Sequence, residues 1–358
     1  MRKKTRQISV GGINIGGGAP IVVQSMANTR TSDIKSTVEQ IKRLERIGCE
    51  IVRVAVPDEE AANSLRDIKK NINIPLIADI HFQHKLALIS LENGVDGLRI
   101  NPGNIGSEKR VKEVVQEAKL RQVPIRIGVN SGSVEKDLLD KFGSPTPEAL
   151  VLSALKHVRI LEDLNFYDIK ISVKASNVRD TIEAYQMLSN KVDYPLHLGV
   201  TEAGTLLCGA IRSALGIGTL LQRGIGDTIR VSLTAEPEVE IKACYEILAS
   251  LGLRKRPYAE IISCPTCGRL QINLQDLVSR IEKRLEGVNL PIKIAVMGCV
   301  VNGPGEAKEA DIGVAGGDGK GVIIKHGKII RTCDEDKIEE ELMKEIELLS
   351  QSIMEVKK

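Results

Sequence analysis

The chain has 358 residues, with 50 Lys and Arg against 47 Asp and Glu, a net charge of +3. That length suits about two domains around large cores, and 42% apolar with 27% charged residues excludes a disordered or collagen-like chain. Near-neutral balance argues against a nucleic-acid coat or a membrane-surface protein. Five Tyr, three Phe and no Trp are too few for a base-stacking platform, and no apolar run approaches the ~20 residues of a membrane span. The basic start Arg2-Lys3-Lys4 leads into glycines and not into a signal-peptide core, so the cytoplasm is the expected compartment.

In chain order, β-branched runs recur at residues 21–26, 51–56, 76–81, 97–102, 125–130, 169–174, 196–201 and 228–234. Segments of helical spacing lie between them, such as 38–47 and 108–119. Eight βα units in about 250 residues predict a (β/α)8 TIM barrel over residues 1–252. An open doubly wound sheet is the alternative, but no Rossmann fingerprint accompanies the repeats. The glycines of 11–18 precede a strand, so this stretch reads as a loop, and 316–321 lacks the Ser or Thr of a Walker loop. A basic linker at 253–257 then leads to a small α+β domain, 258–358. Its predicted elements are strands at 258–263, 293–297, 311–314, 321–325 and 328–332, with helices at 271–285 and 334–349. His326-Gly327 is placed as a hairpin turn.

Side chains alternate along a strand. One face of each barrel run is apolar and suits packing on helices. The other carries Arg53, Asp79 with His81, Arg99 with Asn101, Arg126 with Asn130, Lys170 with Ser172 and Lys174, His197 with Thr201, and Arg230 with Ser232. Barrel interiors are ordinarily filled by Val, Ile and Leu, and an unpaired buried cation costs several kcal/mol. Against these cations stand only Asp79 and, just beyond the seventh run, Glu202. A local excess of Arg and Lys near the C-terminal ends of the strands therefore predicts an anionic ligand, and a diphosphate fits better than a single carboxylate. Lys170 begins its run and is left out of the site. Glu202 either caps the next helix or serves as a proton donor.

Seven cysteines in a reducing compartment do not form a disulfide scaffold. Cys264-Pro265-Thr266-Cys267 is a C-x2-C pair after a strand, and Cys299 follows another. Three thiolates on loops of one domain suit an iron–sulfur cluster or a zinc ribbon, and spacing alone does not separate the two. A 4Fe–4S cluster takes four ligands as a rule. Cys333 would complete a four-thiolate set. Glu306, after the turn-rich Asn302-Gly303-Pro304-Gly305, would be a harder, more weakly held ligand that a substrate oxygen could displace. Cys49, Cys208 and Cys244 read as small core residues. The zinc reading makes the chain a zinc-stabilised TIM-barrel enzyme acting on a phosphorylated sugar.

Several longer segments carry a resemblance. They are Val23-Gln24-Ser25-Met26, Ala78-Asp79-Ile80-His81-Phe82, Leu98-Arg99-Ile100-Asn101-Pro102-Gly103-Asn104, Arg126-Ile127-Gly128-Val129-Asn130, Ser172-Val173-Lys174-Ala175-Ser176, Leu198-Gly199-Val200-Thr201-Glu202-Ala203-Gly204, the C-x2-C pair, and Gly298-Cys299-Val300-Val301-Asn302-Gly303-Pro304-Gly305-Glu306. In this order the chain resembles the bacterial 4-hydroxy-3-methylbut-2-enyl diphosphate synthase family of non-mevalonate isoprenoid synthesis. Ala27 departs from the Thr usual in the first motif, and Cys333 matches no motif, which favours Glu306. The resemblance implies an iron–sulfur oxidoreductase that opens and dehydrates 2-C-methyl-D-erythritol 2,4-cyclodiphosphate. It implies a 4Fe–4S cluster on Cys264, Cys267, Cys299 and Glu306. Arg53, His81, Arg99, Arg126, Lys174, Arg230 and Ser232 would hold the diphosphate. Asp79, Asn101, Asn130 and Asn302 would orient the sugar-derived part, and Glu202 would supply a proton. Flavodoxin or ferredoxin is implied as electron donor, and a head-to-tail homodimer as the assembly.

Overall fold

The structure is a computed structural model that describes residues 2–285, 288–299, 305, 307–317 and 319–356. It divides into two compact units, Met1–Lys255 and Arg256–Lys358. Among the described residues no helix is long and apolar enough to cross a membrane.

The first unit opens with an antiparallel hairpin, β1 (Ile8–Val10) and β2 (Ile13–Ile15). Its turn is Gly11-Gly12, both at positive φ, as a two-residue hairpin turn requires. The glycine-rich stretch is thus not wholly a loop, because Ile13 and Ile15 alternate and pair back onto Ile8–Val10. Ile8, Val10 and Ile15 pack on Val22, Ile51 and Ile77 from the N-terminal parts of three barrel strands, so the hairpin seals that end of the barrel.

Eight parallel strands follow: β3 (Val22–Met26), β4 (Ile51–Ala55), β5 (Leu76–Asp79), β6 (Gly97–Ile100), β7 (Ile125–Asn130), β8 (Ile169–Lys174), β9 (His197–Leu198) and β10 (Thr228–Ile229). Their order is β8-β7-β6-β5-β4-β3-β10-β9, and a parallel bridge from Ile171 to Leu196 brings the ends together. The barrel expectation holds. The last two strands are shorter than their apolar runs suggest: their paired register ends at Leu198 and Ile229.

The outer helices are α1 (Ile34–Arg46), α2 (Glu59–Lys70), α3 (His84–Glu92), α4 (Pro102–Ile105), α5 (Glu108–Leu120), α6 (Lys136–Phe142), α7 (Pro147–Asp163), α8 (Val178–Ser189), α9 (Leu206–Gln222) and α10 (Pro237–Ser250). Local chemistry sets their starts. Asp33, Asp58, Thr146 and Asn177 accept backbone N–H bonds at the N-termini of α1, α2, α7 and α8. Most helices bury one stripe, though α6 buries none; α1 buries Val38, Ile41 and Leu44 at i, i+3 and i+6.

The second unit is a five-stranded sheet: β11 (Glu260–Ser263), β12 (Lys293–Met297), β13 (Ile312–Gly317), β14 (Lys320–Lys325) and β15 (Lys328–Asp334) in spatial order. The first three run parallel and the last three antiparallel. Helices α11 (Leu274–Arg284) and α12 (Ile338–Val356) share one apolar cluster with Ile294, Val296, Ile312, Val314 and Ile323. His326 and Gly327, both at positive φ, make the two-residue turn between β14 and β15.

Candidate functional site

The barrel interior is charged in the way the strand alternation predicts. Arg53, Asp79, Arg99, Asn101, Arg126, Lys170, Ser172, Lys174 and His197 are all buried. Asp79 ends β5 and is the acid at the centre of this group. It accepts a hydrogen bond from Arg99 Nη1 at 3.1 Å and lies 3.7 Å from Arg53 Nε. Burial works to raise the carboxyl, but Arg53, His81 and Arg99 outweigh it and hold Asp79 well below the usual carboxylate range. His81 follows β5 with its side chain half exposed at the mouth. Its Nε2 stands 3.6 Å from Asp79 Oδ2 and 3.1 Å from Arg99 Nη1.

One shared acid does not balance the cations. Among the described residues Arg126, Lys170 and Lys174 have no ion pair, and Arg126 Nε, Arg126 Nη1 and Lys170 Nζ are buried without a hydrogen-bond partner. Desolvation and the neighbouring guanidiniums hold Arg126 and Lys174 well below their ordinary values and push Lys170 down to about 7. His197 is lowered for the same reasons; its Nδ1 meets Thr228 Oγ1 at 2.7 Å, and its Nε2 is buried and unpartnered. A cluster of this kind is stabilised by an anion that supplies acceptors to several donors at once.

Glycines make room for it. A Cβ at Gly128 would stand 2.5 Å from Arg99 Nε, and one at Gly199 would stand 2.5 Å from Lys174 Nζ. Both positions face inward, so each lets a long cation cross the barrel where a side chain would fill it.

At the mouth, Asn101 uses its Oδ1 to cap α4 through Gly103 N–H (3.1 Å). Asn130 ends β7, where Ser133 Oγ accepts its backbone N–H at 2.9 Å. Arg230 and the half-buried Ser232 follow β10. Glu202 is exposed on the loop after β9 and adopts φ +52°, a left-handed conformation unusual for a non-glycine residue. It does not cap α9, whose N-cap is Thr205.

Three features escaped the sequence reading. Lys170, set aside because it begins its strand, is 2% exposed and adjoins Arg126 across the β7–β8 register. Glu240 reaches inward from α10 to within 3.7 Å of Arg230 Nη2, although periodicity places it on an outer helix. Asp227, just before β10, is occupied by Arg2 at 2.6 Å and by the Leu196 N–H at 3.0 Å. One assignment is corrected. Cys49 and Cys244 are buried, but Cys208 is exposed, because it lies on the outer side of α9 with Leu207, Ile211 and Leu215.

In the second unit, Cys264 follows β11 and Cys299 follows β12, and these strands are parallel neighbours. Their C-terminal ends therefore share one edge of the sheet. Gly298 N–H donates to Cys264 Sγ at 3.3 Å and Gln271 N–H donates to the Gly298 carbonyl at 3.0 Å, which laces the two thiol-bearing loops together. Cys267 is exposed between them. Hydrogen bonds from the backbone and side chain of Arg269 hold its thiol below the ordinary value. Cys333 lies in β15, three strand spacings from β12, or about 14 Å away. That is too far for it to join Cys299 on one metal centre. Asn302 and Glu306 lie outside the described residues. Among the described residues no three His, Cys, Asp or Glu side chains converge as a metal-binding group. The donor chemistry and shared sheet edge of Cys264, Cys267 and Cys299 nevertheless fit a soft, thiolate-bound centre.

A (β/α)8 barrel with an unbalanced cationic interior, followed by an α+β unit that carries three thiols on loops, defines a class of two-unit barrel protein. The sequence matches the family models of the GcpE TIM-barrel domain over residues 5–245 and the GcpE protein C-terminal domain over residues 260–348. The chain belongs to the GcpE family. It is 63% identical over 347 residues to the 4-hydroxy-3-methylbut-2-en-1-yl diphosphate synthase (flavodoxin) of Caldanaerobacter subterraneus subsp. tengcongensis, covering 97% of this chain and 98% of that one. It is 57% identical to the protein of the same name from Thermodesulfovibrio yellowstonii, covering 96% and 99%. Among solved structures, 3-dehydroquinate dehydratase from Geobacillus kaustophilus shares the barrel fold, with a TM-score of 0.50, 18% identity, and coverage of 72% of this chain and 100% of that one. These relatives do not favour the zinc alternative.

Proposed function

We propose that this chain binds 2-C-methyl-D-erythritol 2,4-cyclodiphosphate in its barrel and converts it to 4-hydroxy-3-methylbut-2-enyl diphosphate by two-electron reductive ring opening with loss of water. As a member of the family it is an oxidoreductase of isoprenoid synthesis. The single observation that carries the placement of the substrate is the buried excess of cations around Asp79.

Arg53, Arg99, Arg126, Lys174 and Arg230, with His81 and Ser232, take the diphosphate. Their donors then gain the acceptors that the protein does not supply. Asp79, Asn101, Asn130 and Asn302 orient the sugar-derived carbons. Glu202, at the rim, gives a proton to the departing oxygen so that it leaves as water. Its left-handed backbone is the strain expected of a residue held for function.

Cys264, Cys267, Cys299 and Glu306 would hold a 4Fe–4S cluster, with three soft thiolates and one harder carboxylate. When bound, the cluster supplies electrons one at a time. The donor is flavodoxin, as in the names of the relatives, and a ferredoxin would serve the same chemistry. The working assembly is a head-to-tail homodimer. An exposed apolar stripe on α9, Leu207, Ile211 and Leu215, offers such a dimer surface to bury.

Calorimetric titration with inorganic pyrophosphate tests the anion site. Arg126→Met should weaken binding by about tenfold or more; unchanged affinity would remove the diphosphate from the barrel interior.

A further inference from the structure

Arg230 has a counter-ion that comes from outside the barrel wall. Glu240 sits in the first turn of α10 and is 4% exposed. Its Oε1 accepts the Leu233 N–H at 2.8 Å, which fixes the turn carrying Ser232. Its Oε2 lies 3.7 Å from Arg230 Nη2 and has no hydrogen-bond partner, and Arg230 Nε is likewise unpartnered. The contact is therefore one of charge and not of bonded geometry. Among the described residues no other acid forms an ion pair with Arg230.

We infer that Glu240 is a positioning residue that acts through Arg230: it is the resident counter-ion of the barrel's anion site, holding the guanidinium when no phosphate is bound and weakening the grip on the phosphate that competes for it. This rests on the reading that Arg230 binds the diphosphate. A carboxylate fixed on a helix stays close when the anion arrives, so it goes on sharing the Arg230 guanidinium with the phosphate in every complex. The charge thereby sets affinity lower than the cations alone would give, and keeps product from being retained.

The sign of the effect separates this role from a merely structural one. Glu240→Gln keeps the shape and leaves an amide oxygen for the Leu233 N–H. It should bind inorganic pyrophosphate about tenfold more tightly than wild type, with KM for the cyclic diphosphate lowered and kcat not raised. A structural prop would give weaker binding on removal. In an Arg230→Met background the same change should have no effect, because the partner is gone. Should the Gln variant fail to fold, Glu240→Asp withdraws the carboxylate by one methylene and should tighten binding by about twofold. Unchanged or weaker binding in Glu240→Gln, or equal tightening with Arg230→Met present, overturns the inference alone. If Arg230→Met by itself leaves pyrophosphate affinity at the wild-type value, the placement of the diphosphate on Arg230 fails, and the inference with it.

Discussion

Gly128 lies against Arg99 so closely that a Cβ there would stand 2.5 Å from the guanidinium Nε. Arg99 in turn donates to Asp79 at 3.1 Å. The missing side chain on β7 thus gives the β6 arginine its path across the barrel. Gly128→Ala should push Arg99 off Asp79, raising KM for the cyclic diphosphate about tenfold in steady-state kinetics. The thermal midpoint should fall as well, because Arg99 would be left buried without its acid. Gly199→Ala should be harsher, since its Cβ would also meet the Arg230 carbonyl at 2.8 Å.

Asp79 is the shared acid of Arg53 and Arg99. Asp79→Asn leaves those cations buried without it and should cost about 3–5 kcal/mol in urea unfolding at neutral pH. The folded carboxyl lies below its unfolded value. The contribution is therefore fully present above the unfolded pKa and is lost as pH falls below it. The gap between wild type and variant should close on acidification, and inorganic pyrophosphate should restore part of the loss at neutral pH by pairing the freed guanidiniums.

Lys170 carries the opposite sign. Its folded pKa is pushed down to about 7 by burial and by Arg126, whereas an unfolded lysine titrates near ~10.4. Between those values the unfolded chain binds the extra proton, so wild-type stability rises with pH across this window and the full penalty stands below it. Lys170→Met should be more stable than wild type at and below neutral pH, by on the order of a few kcal/mol. Its advantage should fade as the pH approaches the unfolded value. Urea midpoints at three pH values check this; a constant gap would contradict it.

Glu202 holds a backbone angle of +52° on an exposed loop. If its carboxyl delivers the proton, Glu202→Gln should lower kcat by about 10²–10⁴-fold and leave pyrophosphate affinity near wild type. A KM-only effect would make it a binding group.

The barrel was legible because each βα unit repeats the same pairing of apolar run and amphipathic segment. Residues 125–130 and 169–174, predicted as strands from their β-branched runs of alternating polarity, are β7 and β8 with those bounds. The same alternation put Arg53, Arg99, Arg126 and Lys174 on the inner face. It could not show Glu240, because helical periodicity reports which side of α10 is buried and not that a carboxylate at its first turn comes within 3.7 Å of Arg230. Nor could it show that Lys170, at the start of a strand, lies as deep as Arg126, since depth depends on stagger between strands. Cys333 shows another limit. Counting thiols left it open as a ligand, and only the strand order places it on the far side of the sheet from Cys264. Cys208 was misplaced because α9 is apolar on both sides, so composition hid which face meets the barrel.

In the proposed function a soft inorganic centre and a cation-lined barrel serve one reductive reaction. Iron, acid-labile sulfide and zinc, measured per chain on protein purified under strict exclusion of air, test it most directly. Iron and sulfide at about four each, without zinc, and a visible absorbance that dithionite bleaches and the cyclic diphosphate restores, are the predicted result. A colourless protein that carries zinc and no sulfide would contradict it.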